Sequence, residues 1–140
     1  MEFPLVRRLA GPHLALVIQM LRFGVVGVVG FCVDTATVYG LRGRLGLYGA
    51  GIVAYFVAAS VNWALNRSWT FRGHHALSAH RQWLLYLAAN ALGFVLNRGT
   101  YAALIAGFAL CRVYPVLAVA AGAVAGMPIN FLLSRRLVFR

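Results

Sequence analysis

The sequence predicts an all-α membrane protein with four transmembrane helices, arranged as two parallel-repeat helical hairpins with both chain ends in the cytoplasm. Three observations predict this fold. The 140 residues are 62% hydrophobic and only 11% charged, whereas about a quarter of the residues in a soluble domain are charged. The apolar residues form four long runs, with most of the arginines between them. Finally, the end of the second run recurs at the end of the fourth.

The four apolar runs define the predicted spans, at about residues 23–41, 48–66, 83–108 and 113–134. Each has roughly the 20 residues that a helix needs to cross about 30 Å of hydrocarbon. Helices are expected because a backbone in lipid must satisfy its hydrogen bonds within each segment, and the sequence lacks the alternating short strands of a β-barrel. Residues 1–21 are expected to form a cytoplasmic segment. In it Pro12 opens a short helix that lies along the inner surface or leads into the first span.

The arginines predict the orientation. The chain has no lysine, and nine arginines lie before the first span, in the 67–82 loop and in the C-terminal tail, against three in the other two loops. Positive residues favour the cytoplasmic side, so both ends are expected inside, in the cytoplasmic (inner) membrane. The net charge of +11 indicates membrane lipid as a partner and not nucleic acid, because the arginines separate apolar segments instead of covering a soluble surface.

An internal repeat divides residues 22–140 into two hairpins, 22–72 and 81–140. A shift of 68 residues places 62–72 on 130–140, with five of the eleven residues identical. A shift of 63 residues places Gly30 on Gly93 and Asp34 on Asn97. Each hairpin begins and ends on the same side, so the repeats are expected to be parallel, and transporters of this kind bind their substrates where the halves meet. A duplication kept only for packing is the alternative.

The span ends resemble the GtrA-like family of small four-helix membrane proteins. The resemblance covers 22–140 and rests on RFGVVG at 22–27, on Asn62 with NRSWTF at 66–71, and on the related ending at 130–139. Ser134 and Leu137 depart from the pattern in the second copy. The resemblance implies that the protein flips a polyprenyl-phosphate-linked sugar across the membrane, for cell-surface polysaccharide or cell-wall glycan synthesis. Some members occur beside or fused to polyprenyl-phosphate glycosyltransferases. A non-transporting membrane anchor that recruits or regulates such an enzyme is therefore the alternative.

Six residues at the inner ends of the second and fourth spans are candidates for binding the lipid phosphate or the sugar: Asn62, Asn66, Arg67, Asn130, Ser134 and Arg135. Asn62 and Asn66 are four residues apart and share one helix face, and Arg67 follows them. Arginine suits a phosphate because its planar fork donates two hydrogen bonds at once. The alternative is that the amides bond between helices while the arginines only fix the orientation.

Four polar residues in the first and third spans form a predicted intramembrane seam: Asp34, Asn90, Asn97 and Arg98. A buried charge in a span is costly unless it is paired. Asp34 and Arg98 are expected at similar depth and are predicted to form an ion pair, with one partner from each repeat. The pair either locks the hairpins together or opens when a phosphate or a proton competes for it. If Arg98 points elsewhere, Asp34 instead becomes a protonated switch.

Small residues predict close helix contacts, within the chain or in a homo-oligomer, at Gly24, Gly27, Gly30, Gly122 and Gly126. The sequence has no paired carboxylates, nucleophile triad, nucleotide loop or metal-ligand spacing. It is therefore expected not to be an enzyme and to use no cofactor or metal. Four spans with an acid in the first also suggest a small multidrug exporter, but the nine-to-three arginine bias disfavours that class.

Overall fold

The computed structural model describes residues 11–74 and 76–140, and within these ranges every regular element is helical. The helical stretch Pro12–Leu65 is interrupted at Gly46, where φ is 67° and ψ is 175°. It thus comprises α1 (Pro12–Gly46) and the start of α2 (Gly49–Thr70). Three further helices follow, namely α3 (Ala79–Gly107), the short α4 (Ala109–Val113) and α5 (Pro115–Leu133). The first ten residues of the expected N-terminal segment, and His75, lie outside the described residues.

Glycine and proline set several of the helix boundaries. Pro12 and Pro115 open α1 and α5, where the missing N–H costs no intrahelical hydrogen bond. Gly46 takes up the left-handed conformation that a side chain would disfavour, so the chain reverses there between α1 and α2. Residues 12–21 are continuous with the first predicted span in a single helix.

The chain divides after Gly73 into two compact units. In unit 1, Phe23 on α1 packs edge-on against Phe71, just past the end of α2, with ring centroids 6.3 Å apart. In unit 2, Tyr86 on α3 packs in the same way against Phe139, at 6.0 Å. Shifts of 63 and 68 residues relate the members of the two pairs. Each unit is thus an antiparallel helical pair built on an equivalent contact.

One face of α2, and the equivalent face of α5 together with the turn that follows it, carries mainly small or polar residues at every fourth position. Residues four apart lie on one side of a helix and form a ridge. In both units the face begins with alanine or glycine, which allows close packing, and continues with polar residues, except that unit 2 ends in Val138. We call these faces the small-residue stripes; their members are Ala50, Ala54, Ala58, Asn62, Asn66 and Thr70 in unit 1, and Ala118, Gly122, Gly126, Asn130, Ser134 and Val138 in unit 2.

Large apolar side chains cover much of the outer surface. Val28 on α1 is 64% exposed, and Val95 on α3 and Val124 on α5 are 63% and 70% exposed. An apolar exterior over a small-residue interior is typical of helices whose surroundings are lipid. In the part of the chain that the structure describes, α1 and α2 are long and apolar enough to cross a membrane. The third and fourth predicted spans fall on α3 and α5, of 29 and 19 residues.

Candidate functional site

The asparagines of the small-residue stripes lie against glycines of the facing helices. A Cβ atom built on Gly30 would overlap the amide of Asn62, and one built on Gly93 would overlap the amide of Asn130. The Cα–H of each glycine therefore points at an amide group, as in the weak Cα–H···O contacts of helix interfaces. Asn62 and Asn130 thus pack inside their own hairpins, which supports the structural interpretation of these two residues.

Four oxygens on the stripes are buried and have no hydrogen-bond partner among the described residues. They are Asn62 Oδ1, Thr70 Oγ1, Asn130 Oδ1 and Ser134 Oγ. Buried polar atoms are nearly always satisfied by protein, water or a ligand. Each unit therefore keeps hydrogen-bonding capacity toward the end of its stripe, where a hydroxyl group or a water molecule would find acceptors.

Both stripes end in a π-helical turn, Asn66–Thr70 in unit 1 and Ser134–Val138 in unit 2. The N–H of Phe71 donates to the carbonyl of Asn66 at 2.8 Å, and the N–H of Phe139 donates to the carbonyl of Ser134 at 2.9 Å. The wider turn lets both phenylalanines turn inward, where they are 1% and 2% exposed. Single π-helical turns occur often at functional sites.

The arginines at these helix ends differ in their surroundings. The guanidinium of Arg67 lies over the ring of Trp63, 5.9 Å from its centroid, and that of Arg22 lies over Trp69 at 5.7 Å. Both arginines are half-buried, whereas Arg135 is exposed. Both contacts are cation–π pairs, which restrict the position of a guanidinium.

The residues of the predicted intramembrane seam are divided between the units. Asp34 is half-buried on α1. In unit 2, Nδ2 of Asn90 donates to the carbonyl of Tyr86 at 2.8 Å, so this amide bonds within its own helix. The backbone of Asn97 lies against α5, since a Cβ atom on Gly122 would sit 2.6 Å from its carbonyl oxygen. Arg98 is exposed and its guanidinium lies 5.3 Å from the ring centroid of Phe94. The ion pair between Asp34 and Arg98 stays a prediction.

Three residues that the sequence analysis did not single out belong to the same helix ends. Arg22 and Trp69 form the cation–π pair of unit 1. Gln82 is fully buried, and its Nε2 donates to the carbonyl of Val138 at 3.3 Å. The shift of 63 residues places Gln19 on Gln82, so the repeat carried a signal for this residue.

The family comparison agrees with this architecture. The sequence profile of the GtrA/DPMS transmembrane domain matches residues 22–139. No curated protein matches the chain in sequence. The match begins at Arg22 and ends at Phe139, and so includes both repeated helix ends and both aromatic pairs. The chain therefore belongs to the GtrA/DPMS transmembrane-domain family, and it is a membrane protein.

Proposed function

We propose that the protein carries a polyprenyl-phosphate-linked sugar across the cytoplasmic membrane for the synthesis of cell-surface polysaccharide or cell-wall glycan. Its family indicates a role in handling lipid-linked sugars and is generally non-catalytic. The charged and hydroxyl-rich headgroup of such a lipid does not enter hydrocarbon readily, because each unpaired charge or polar group is costly there. A protein that offers hydrogen bonds to the headgroup along its path through the membrane lowers the free-energy barrier to crossing.

In this proposal α1, α2, α3 and α5 all cross the membrane, as two hairpins with both chain ends in the cytoplasm. The arginine distribution supports this orientation. A helix that rises 1.5 Å per residue reaches about 30 Å in 20 residues. The 19 residues of α5 gain the extra length they need from the π-helical turn that follows it.

The observation that carries the proposal is the repeated helix end. In each unit a buried stripe with free polar capacity runs to a π-helical turn whose second residue is an arginine, Arg67 or Arg135. The arginines would bind the lipid phosphate at the inner surface. Asn62 and Asn66, with Asn130 and Ser134, would offer hydrogen bonds to the sugar.

The intramembrane seam would shield the sugar during crossing, while the polyprenyl tail stays in lipid. Asp34, Asn97 and Arg98 are the residues proposed for this step, with Asn90 on the same helix as the last two. Gly27 on α1 has nothing within 4 Å of its Cβ position and so leaves room for close contact with a second copy. A homo-oligomer is therefore part of the proposal.

Transfer across liposomes tests the proposal. The purified protein is reconstituted into vesicles with a fluorescent polyprenyl-phosphate sugar, and a membrane-impermeant quencher measures how much label reaches the outer leaflet. We expect the protein to accelerate transfer over protein-free vesicles. Asp34→Asn and Arg98→Ala should slow transfer about 10-fold or more if each removes a charge needed in the low-dielectric interior.

Arg44→Gln is the matched control, because Arg44 is an exposed arginine near the C-terminal end of α1 and outside the predicted seam. It should transfer lipid at the wild-type rate. Wild-type transfer by both seam variants would remove the seam from the mechanism. A wild-type protein that transfers no faster than empty vesicles would overturn the transport proposal itself.

A second candidate function, a membrane anchor for a glycosyltransferase, is favoured by the connection between the units. Arg72 at the end of unit 1 is exposed, as are His74 and Arg81 near the start of unit 2. Within unit 2, the N–H of Ala76 donates to the carbonyl of Arg140 at 3.2 Å, which ties this segment to the C-terminus. Exposed basic residues beside a segment that is held in place suit a protein partner. The test is co-purification with a glycosyltransferase. The anchor is favoured if the Asp34 and Arg98 variants still co-purify with the enzyme while Arg72→Glu and Arg81→Glu variants do not.

A further inference from the structure

The two units share a scaffold at their helix ends but differ in what the scaffold holds. In unit 1, Phe23 and Phe71 form an edge-on pair with an interplanar angle of 65°, and Tyr86 and Phe139 repeat this pair with the same angle in unit 2. Residues next to these rings are therefore held in corresponding places. Where these neighbouring residues differ between the units, equivalent positions therefore present different surface chemistry.

The residues held by this frame in unit 1 are Arg22, which precedes Phe23, and Trp69, two residues before Phe71. The Arg22 guanidinium lies over the Trp69 ring, 5.7 Å from its centroid, and Trp69 is 43% exposed. In unit 2 the corresponding residues are Leu85 and Leu137. Leu137 is also 43% exposed. One unit thus presents a cation on an aromatic ring where the other presents two aliphatic side chains.

We infer that each chain has a single binding site for the monophosphate headgroup of a lipid, built on Arg22 and Trp69 of unit 1, and that the corresponding residues of unit 2, Leu85 and Leu137, contact only acyl chains. This inference deepens the proposed function and rests on it. It adds Arg22 as a binding residue and narrows the proposed function, because Arg135 of unit 2 has no equivalent of Arg22 and Trp69 beside it and does not hold a lipid phosphate by itself. The number of phosphate sites expected from the repeat therefore falls from two to one.

The chemistry of the Arg22–Trp69 pair fits a phosphate. Stacking uses the flat face of a guanidinium and leaves its five N–H donors around the edge, where a phosphate accepts two at once. Cation–π contact also fixes the side chain before the ligand binds, which lowers the entropic cost of binding. Tryptophan at a membrane interface sits at headgroup depth.

Competition from carboxylates is weak at this position. The sequence contains two acids, Glu2 and Asp34, and Glu2 lies outside the described residues. Asp34 is on the same helix as Arg22, twelve residues along, which is about 18 Å at 1.5 Å per residue. Arg22 therefore has no acidic neighbour on its own helix, and a lipid phosphate is the anion that its position at a helical-hairpin end favours.

Lipid binding counted by native mass spectrometry tests the inference on the full-length protein in detergent. The probes are undecaprenyl phosphate, phosphatidic acid as the other source of a lipid monophosphate, and undecaprenol as the uncharged control. We expect one monophosphate lipid per chain and no retained undecaprenol. If undecaprenyl phosphate binds more tightly than phosphatidic acid, the tail contributes to recognition; equal binding would assign recognition to the headgroup.

Substitutions then locate the site. Arg22→Gln should weaken binding about 10-fold or more, since hydrogen bonds to a charged group are among the stronger ones, while Arg22→Lys should recover part of it. Arg81→Gln is the matched control, because Arg81 is an exposed arginine at the start of α3. It should change binding less than 2-fold, because Arg81 is not part of the proposed site and substitutions at distant sites act nearly independently. The double substitution Leu85→Arg with Leu137→Trp should raise the number of bound lipids to two per chain.

Several results would overturn the inference. Two monophosphate lipids per wild-type chain, or Arg22→Gln and Arg81→Gln binding alike, would each do so. The transport proposal fails differently, because a chain that binds one monophosphate lipid but accelerates no transfer keeps the Arg22 site and loses the transport function. Conversely, if Arg22→Gln transfers lipid-linked sugar at the wild-type rate, the transport proposal stands and the Arg22 site is overturned.

Discussion

At the residue scale, a glycine packs against an asparagine amide in each unit. This contact explains why an asparagine lies at position 62 and again at position 130. The amide of Asn62 occupies the space in front of Gly30, as the amide of Asn130 does in front of Gly93. A glycine leaves room for the amide, whereas any Cβ atom there would force the amide to shift. The buried amides are thus part of the packing of each hairpin, while their oxygens keep free capacity.

Gly30→Ala and Gly93→Ala should each destabilise the protein by about 1–3 kcal/mol, the usual cost of overpacking a close contact. Gly27→Ala is the matched control on α1, because nothing lies within 4 Å of a Cβ atom built there. It should be neutral or stabilise by up to about 1 kcal/mol through its higher helix propensity. Thermal unfolding in detergent measures the difference. Equal stability of Gly30→Ala and Gly27→Ala would contradict the contact, and Asn62→Ala should partly rescue Gly30→Ala.

At the scale of helices, Arg112 shows a role that sequence alone did not indicate. In the sequence it is one of the three arginines predicted to lie on the outer side. Its Nη1 donates to the carbonyls of Ile105 and Ala106, both at 3.0 Å. These carbonyls belong to the last turn of α3, which lacks partners further along the helix. Arg112 therefore caps α3 and also offsets the negative end of the helix dipole.

Arg112→Gln should loosen the end of α3 and speed hydrogen exchange of the backbone around α4, because the two capping bonds to a cation are lost. The expected loss of local stability is about 1 kcal/mol. Hydrogen–deuterium exchange with mass spectrometry measures it. Arg44→Gln, in the corresponding turn of unit 1, should leave the exchange of α4 unchanged. Unchanged exchange in Arg112→Gln as well would show that the cap contributes nothing.

Some features of the helices could be predicted from the sequence, and others could not. The shifts of 63 and 68 residues predicted which residues correspond between the halves, and the aromatic pairs follow those shifts. A repeat relates one half to the other but does not pair the two helices within a half, so the contact between Gly30 and Asn62 was out of reach. The π-helical turns were also out of reach, because a single such turn within a longer helix leaves the helical hydrophobic pattern unchanged. Arg22 and Trp69 were visible only as parts of a motif.

At the scale of the whole molecule, the arginines should determine how the chain sits in the membrane. Nine of them lie at the end predicted to be cytoplasmic and three at the other end. Arg112 keeps its positive charge while it caps α3, so it still counts among the three. The nine-to-three distribution favours both termini inside.

Cysteine labelling in whole cells tests the orientation. In a background with Cys32→Ser and Cys111→Ser, the substitution Gly43→Cys places a thiol in the outer turn, where nothing lies within 4 Å of the Cβ position. His74→Cys places one at an exposed position between the units. A membrane-impermeant maleimide should label Gly43→Cys in intact cells and should label His74→Cys only after the membrane is opened. The reverse pattern would invert the topology, and it would move the Arg22 site, with its proposed phosphate ligand, to the outer leaflet.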